Sequence, residues 1–285
     1  MLLDPVGVAA RRAGWDEAMA GFLPGHDSLE RAIATTTEAV LGHPPARVLD
    51  LGGGPGRFAE RLAARWPAAR ITLLDVDPVL LALARAALPH SVSVIGADLT
   101  CPSWPSATGA GYDLVTAVMA VHYLDAAPIR DLYRRARDIL APGGLLVVAD
   151  VMPDDGLPSV MNALIPPAGP AVGSGAGSAA GSAVGPAAGP GVGPAAGSAV
   201  GSAVGSAVGP AAGPADAWSR WWAALPESPW LRPLLTERAE LFRDRPPAEF
   251  TAGVAWHAVA AREAGFGECG LIWREARHAA LAALT

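Results

Sequence analysis

From residue 46 onward, short apolar runs alternate with amphipathic stretches. ARVLDL (46–51), ITLLD (71–75), SVSVIGAD (91–98), YDLVTAVMAV (112–121) and LLVVAD (145–150) have strand length, and several close on an acid. Between them, GRFAERLAARW, PVLLALARAAL and IRDLYRRARDIL have helical periodicity; in the last, Ile129, Leu132, Tyr133, Ala136 and Ile139 share one side. Apolar strands alternating with amphipathic helices predict a parallel sheet covered on both faces. ECGLIWR and HAALAAL follow near the end, joined tightly at Glu275-Ala276. So short a connection predicts antiparallel neighbours, because a parallel pair needs a long crossover. The pattern predicts an α/β fold: a doubly wound, Rossmann-like sheet of seven strands with the last antiparallel.

The flanks read as helical. One helix is expected over Val6 to Ala20. A second is expected to be N-capped by Asp27, with Glu30 completing a capping box and Gly42, Pro44 and Pro45 stopping it. A Trp-rich helical stretch is expected from Asp216 to Arg243, as a cap, and a last helix from Phe250 to Ala264. The expected organisation is N-terminal helices over 1–45, a ligand-binding core over 46–155, an insertion over 156–215, and a cap, last helix and terminal hairpin over 216–285.

Composition changes the picture at the insertion. No charged residue occurs from 156 to 215, and the tetrad repeat from Pro166 to Ala215 holds 14 of the 33 Gly. Its period of four excludes collagen, and its small side chains predict a disordered, low-complexity segment. The apolar excess therefore marks no membrane span, since Gly and Pro interrupt every candidate run. The start, MLLDPVGVAARR, lacks the basic-then-apolar order of a signal peptide. Two Cys make no disulfide framework, no metal ligand set is evident, and a cytosolic setting is expected. The net charge is −6 and all 21 basic residues are Arg. Scattered among more acids, they argue against a nucleic-acid groove.

Chemistry concentrates at VLDLGGGPG (48–56). Gly52, Gly54 and Gly56 follow a strand and precede a helix, so the backbone turns sharply and a ligand approaches closely. The dinucleotide spacing G-x-G-x-x-G fails: from Gly52 the third position is Arg57, and from Gly53 the second is Pro55. Asp50, Asp75 and Asp98 stand at the carboxyl ends of the first three strands, where an open sheet places its ligand crevice. Three carboxylates suit a cationic ligand better than a pyrophosphate.

With these residues the chain resembles a class I S-adenosylmethionine-dependent methyltransferase, strongly over 46–151 and moderately over 250–285. The resemblance implies S-adenosyl-L-methionine as cofactor. Asp50 would face its methionine ammonium, and Gly52, Gly54 and Gly56 would shape the turn around it. Asp75 would bind the ribose and Val76 pack on the adenine. Asp98 would accept from the adenine amino group, with the Leu99 N–H facing the ring. The backbone near Val118 and Met119 would lie beside the methionine moiety. Gly53 stands where the family often has Cys or Ala, a difference expected to change little.

His122, after the fourth strand, is the candidate catalytic base, with a packing or cofactor-contact role as the alternative. His26 and His257 are weaker candidates. Trp15 is read either as lying over the crevice or as core. Trp218, Trp221, Trp222 and Trp230 either line an acceptor pocket or dock their segment onto the sheet. Tyr123 and Asp150 are rim positions without a role. The expected function is methyl transfer to a small-molecule acceptor by a monomer or homodimer, with neither nucleic acid nor membrane as partner. A nicotinamide-dependent oxidoreductase on a similar architecture and a non-catalytic cofactor-binding scaffold are the alternatives.

Overall fold

A computed structural model describes residues 5–165, 214–245 and 250–285. Helices α1 (Pro5–Phe22) and α2 (His26–Leu41) lead into β1 (Arg47–Leu51), α3 (Arg57–Arg65) and β2 (Arg70–Asp75). Next come α4 (Pro78–Ala87), β3 (Val92–Gly96), α5 (Trp104–Thr108) and β4 (Tyr112–Val118). Then follow α6 (Ala126–Ile139), β5 (Leu140–Val151), α7 (Pro158–Ala163) and α8 (Pro214–Ala224). The chain ends with α9 (Arg232–Phe242), α10 (Val254–Glu263), β6 (Glu268–Glu275) and β7 (His278–Leu284).

The seven strands form one sheet in the order β3-β2-β1-β4-β5-β7-β6. The first five are mutually parallel, and β7 runs antiparallel to both β5 and β6. Alternation along the strands sorts the core into two faces. Leu49, Leu51, Val115, Leu146, Val148 and Leu281 pack against α6 and α10. Val48, Ile71, Leu73, Leu114, Val147 and Ala280 pack against α2 and α3. Both faces are dry, which explains why these strands carry so few polar residues.

Several local expectations are corrected. The capping box does not form: α2 begins at His26, one residue before the expected cap, and Gly25 occupies the cap in a left-handed conformation. Asp27 then lies in the first turn, where its charge still suits the helix dipole. Strand β5 begins at Leu140, ahead of Pro142-Gly143-Gly144, and its pairing with β4 shifts register between Tyr112 and Leu114. A Cβ at Gly144 would lie 2.8 Å from the Ala141 carbonyl oxygen and 2.9 Å from that of Tyr112, so the irregularity needs glycine there. The last helix starts at Val254, not Phe250.

The Trp-rich stretch is two helices, α8 and α9, separated by short 3₁₀ turns. Its aromatic side chains dock on α1 and α4 instead of the sheet. Trp221, Leu225 and Leu231 form a small core with Val8, Val79, Leu80 and Leu83. Trp15 meets Trp218 and Trp221 with ring centroids 5.1 Å apart in each case. The cap thus sits on the helices that flank the β1 and β2 ends. Most of the low-complexity segment, 166–213, lies outside the described residues. Its described ends are α7 and the first residues of α8. Among the described residues no helix is long and apolar enough to cross a membrane.

Candidate active site

The glycine turn is fixed to the neighbouring strand. The Gly52 and Gly53 N–H groups donate to the Leu74 carbonyl at 2.7 and 3.1 Å. Gly52, Gly54 and Gly56 have φ of 66°, 56° and 81°, the left-handed region that side chains disfavour. A Cβ on Gly52 would come within 2.5 Å of the Ala120 Cβ, so the turn and the segment after β4 almost touch. From above, α1 clamps the turn. Buried Arg12 donates from Nε to the Pro55 carbonyl at 3.0 Å and pairs with Glu60 at 3.1 Å. Trp15 lies over Gly54, with Cζ2 3.4 Å from where a Cβ would stand.

Gly53 matters more than the sequence implies. A Cβ there would lie 2.6 Å from Asp50 Oδ2 and 2.7 Å from Leu73 Cγ. The Ala or Cys frequent in similar proteins therefore does not fit this chain without displacing Asp50. Overpacking of this kind costs about 1–3 kcal/mol. Gly53→Ala is expected to lower the melting temperature and weaken cofactor binding together; thermal melts with and without S-adenosylhomocysteine check this.

The acids differ in environment. Asp50, 1% exposed, accepts from the Thr116 hydroxyl at 3.0 Å through Oδ1, while Oδ2 is buried without a partner. Burial, together with the nearby Asp75 charge, outweighs the Thr116 hydrogen bond and pushes its carboxyl up to about 7. Asp75 is buried at the end of β2. Its Oδ2 accepts from the Gly54 N–H and its Oδ1 from the Asp77 N–H, both at 2.8 Å. Burial dominates there too, raising it to about 6 against those hydrogen bonds. Asp98 stands two residues beyond β3, with the intervening Ala97 N–H bonded to the Asp75 carbonyl at 2.9 Å. Partial burial pushes Asp98 up, but hydrogen bonds from Thr100 and the ion pair with Arg245 outweigh it, and the net direction is down.

Asp75 is thus hydrogen-bonded to the glycine turn through Gly54, Asp50 lies against the turn at Gly53, and Asp98 follows the end of the adjoining strand. Val76 and Leu99 are half-buried beside Asp75 and Asp98 in the chain, and Leu99 packs on the α6-side core. Met119 has φ 52°, a left-handed backbone rare for a side-chain-bearing residue, and its N–H donates to the Ala149 carbonyl at 2.8 Å. Such strain gathers where backbone is held against a ligand.

His122 lies in a 3₁₀ turn just after β4, and its Nδ1 is 2.8 Å from Asp150 Oδ1. Asp150, buried at the end of β5, also accepts from the Val121, His122 and Val151 N–H groups at 2.9, 3.2 and 2.7 Å. Burial opposes charge on the imidazole, but the Asp150 charge and hydrogen bond prevail and raise its pKa. Burial likewise opposes ionisation of Asp150, and His122 with the backbone donors lowers it overall. The Asp150 contact leaves Nε2 as the remaining ring nitrogen for a substrate proton. The His122 side chain is 24% exposed, and Tyr123 packs on it with ring centroids 4.0 Å apart.

The two weaker candidates, His257 and His26, have partners of their own. His257 bonds the Tyr133 hydroxyl at 3.0 Å, and burial lowers it to about 4. His26 pairs with Glu30 at 3.4 Å beside Arg61. His26, Asp27 and Glu30 bring ligand-type atoms together, yet Arg61 already pairs with Glu30 there. Sequence reasoning missed the parts of Asp150, Arg12 and Gly53. For Asp150 a signal existed: it closes a strand as Asp75 does.

The orphaned Asp50 Oδ2 and the close-approach glycines fit a ligand that brings a cation to the turn. The methyltransferase domain family matches residues 48–144. Trans-aconitate 2-methyltransferase of Methylobacterium nodulans is 39% identical over 145 residues, covering 50% of this chain and 51% of that one. The protein of the same name from Escherichia coli K12 is 37% identical over 110 residues, covering 39% and 40%. The chain thus spans about half or less of these curated relatives' length. Among solved structures, human N-acetylserotonin methyltransferase in complex with SAM aligns at a TM-score of 0.49 and 14% identity, covering 90% of this chain and 51% of that chain.

Proposed function

We propose that this chain is a class I S-adenosylmethionine-dependent methyltransferase that transfers a methyl group from S-adenosylmethionine to a small-molecule acceptor. The observation that carries this reading is Asp50: a buried carboxylate with one unpartnered oxygen, fixed behind the glycine turn and beside Asp75. When bound, S-adenosylmethionine supplies an electrophilic methyl group on a sulfonium. Asp50 holds the ammonium of the methionine part, Asp75 the ribose hydroxyls and Asp98 the adenine amine. Val76 would pack on the adenine, the Leu99 N–H would face the ring, and the strained backbone at Met119 would border the methionine part. Gly52, Gly54 and Gly56 let the main chain approach without a Cβ in the way.

His122 takes the acceptor's proton at Nε2, with Asp150 fixing the tautomer from the other nitrogen. A base held in this way favours an acceptor that must lose a proton, such as a hydroxyl. Trans-aconitate, which the relatives' names give, is a carboxylate acceptor and favours the opposite reading. The family match ends at residue 144, ahead of Asp150, the cap and the terminal hairpin.

The test is calorimetric titration with S-adenosylmethionine across pH 5.5 to 8.5. Asp50 is largely neutral below about 7 in the free protein, and a cationic ligand requires it ionised. Affinity is expected to fall by up to about tenfold for each pH unit below that point. Asp50→Asn flattens the profile at its weak end. Absence of binding, or an absorbance change on mixing with a nicotinamide cofactor instead, sinks the reading. The uncomplexed protein moves the other way. Because the folded pKa values of Asp50 and Asp75 are raised, their contribution to stability is full below about pH 4 and is lost as pH rises to about 7.

A further inference from the structure

Asp98, the acid read above as the adenine acceptor, is already engaged. Its Oδ1 accepts from the Thr100 N–H at 2.9 Å, and its Oδ2 is ion-paired with the Arg245 guanidinium. Arg245 lies three residues beyond the end of α9, with its guanidinium 5.2 Å from the centre of the Phe242 ring. The helix that carries it is anchored close by. Buried Arg238 of α9 pairs with Asp77 at 2.5 Å and lies 3.9 Å above the Trp222 ring. Asp77 caps α4 by accepting from the Val79 and Leu80 N–H groups, and it stands two residues after Asp75. A helix fixed at the ribose end of the crevice therefore carries a second cation onto the acid at the adenine end.

We propose that Arg245 is a cofactor-site residue that straps the adenine end. It occupies on Asp98 the place the adenine amine would take, and it is displaced when the cofactor binds. The proposal rests on the cofactor reading above. An adenine amine is a neutral donor, whereas the guanidinium is a full cation with five N–H groups. The amine alone competes poorly for a carboxylate oxygen that the cation holds. A ligand that also engages Asp75 and Asp50 brings enough additional binding free energy to displace the strap. Both partners are partly exposed, 34% for Arg245 and 24% for Asp98, so the pair is open to solvent and screened by salt. Such a pair releases without unfolding of the cap, because α9 stays anchored through Arg238.

The experiment measures dissociation constants for S-adenosylhomocysteine and for adenosine, at low and high salt. It uses the full chain and its Arg245→Ala, Arg245→Lys, Asp98→Ala and doubly substituted forms. Melting curves establish that each form is folded. Arg245→Ala is expected to tighten both ligands by up to about fivefold, which is the ~1 kcal/mol ceiling of an exposed pair converted at 1.4 kcal/mol per tenfold. Arg245→Lys keeps the charge and stays near the parent protein. High salt narrows the gap between parent and Arg245→Ala. In the Asp98→Ala background, Arg245→Ala changes nothing, because the strap has lost its anchor. Unchanged or weaker binding in Arg245→Ala, with the parent protein binding S-adenosylhomocysteine well, overturns the strap alone. A parent protein that binds neither ligand overturns the cofactor reading and the strap with it.

Discussion

Replacing His122 with alanine is expected to lower the turnover number by a factor of about 10² or more while leaving the dissociation constant for S-adenosylhomocysteine within about twofold. General acid–base groups contribute about 10²- to 10⁴-fold, and the proposed role gives His122 no cofactor contact, its Nδ1 being held by Asp150. A fall in cofactor affinity with an unchanged rate would refute the assignment and make His122 a cofactor contact. The pH profile adds a second check. A base must be neutral to act, so the rate of the parent protein rises with pH and levels off above the His122 pKa, which Asp150 holds above the usual 6.5. Around this pair stand Tyr123 on the same turn, Tyr133 on α6, His257 on α10 and His278 on β7; each feels the Asp150 charge. In Asp150→Asn the raising charge is gone, so the limb of the profile moves to lower pH and the plateau falls. Stability has its own sign: the raised His122 pKa gives a contribution that is full below about 6.5 and lost as pH climbs through the raised value.

The sheet was legible in the sequence because its determinants are local. Buried parallel strands must be apolar on both faces, and Val48, Ile71, Leu114 and Val147 advertise that without knowledge of their neighbours. The hairpin was legible for a similar reason, since Glu275-Ala276 leaves too little chain for any connection but an antiparallel one. The turn glycines and the strand-end acids could be placed from spacing alone. What spacing does not carry is contact between distant segments. Arg12 reaches the Pro55 carbonyl from another helix, and Arg245 reaches Asp98 from the far side of the repeat. The His122–Asp150 contact joins the ends of β4 and β5, two residues that only the sheet makes neighbours. Gly53 misled for a steric reason: its φ is ordinary, and only the Asp50 and Leu73 side chains forbid a Cβ. The capping box failed because Gly25 begins the helix in a left-handed conformation before Asp27 is reached.

Asp75 is the position where one substitution should cost most in binding. Asp75→Ala is expected to weaken S-adenosylmethionine binding by at least about 10²-fold. Two charge-assisted hydrogen bonds to ribose hydroxyls are worth about 1.5–3 kcal/mol each, and every 1.4 kcal/mol is a factor of ten. The loss is also structural. Without the carboxylate the Gly54 and Asp77 N–H groups lose their acceptors in a buried site, and the turn loosens from the start of α4. An orphaned buried donor costs about 1–3 kcal/mol, partly offset by removing a carboxylate that burial already disfavours. Asp75→Asn separates the two effects. Its amide oxygen still serves one N–H, so it should melt closer to the parent protein yet lose the ionised acceptor that a ribose diol prefers. Titration of both variants, alongside their melting temperatures, decides the matter. If Asp75→Asn binds S-adenosylmethionine as tightly as the parent protein, the acid organises the turn and does not touch the ribose. If both variants bind at least about tenfold more weakly while Asp75→Asn keeps its stability, Asp75 is a cofactor ligand in its own right.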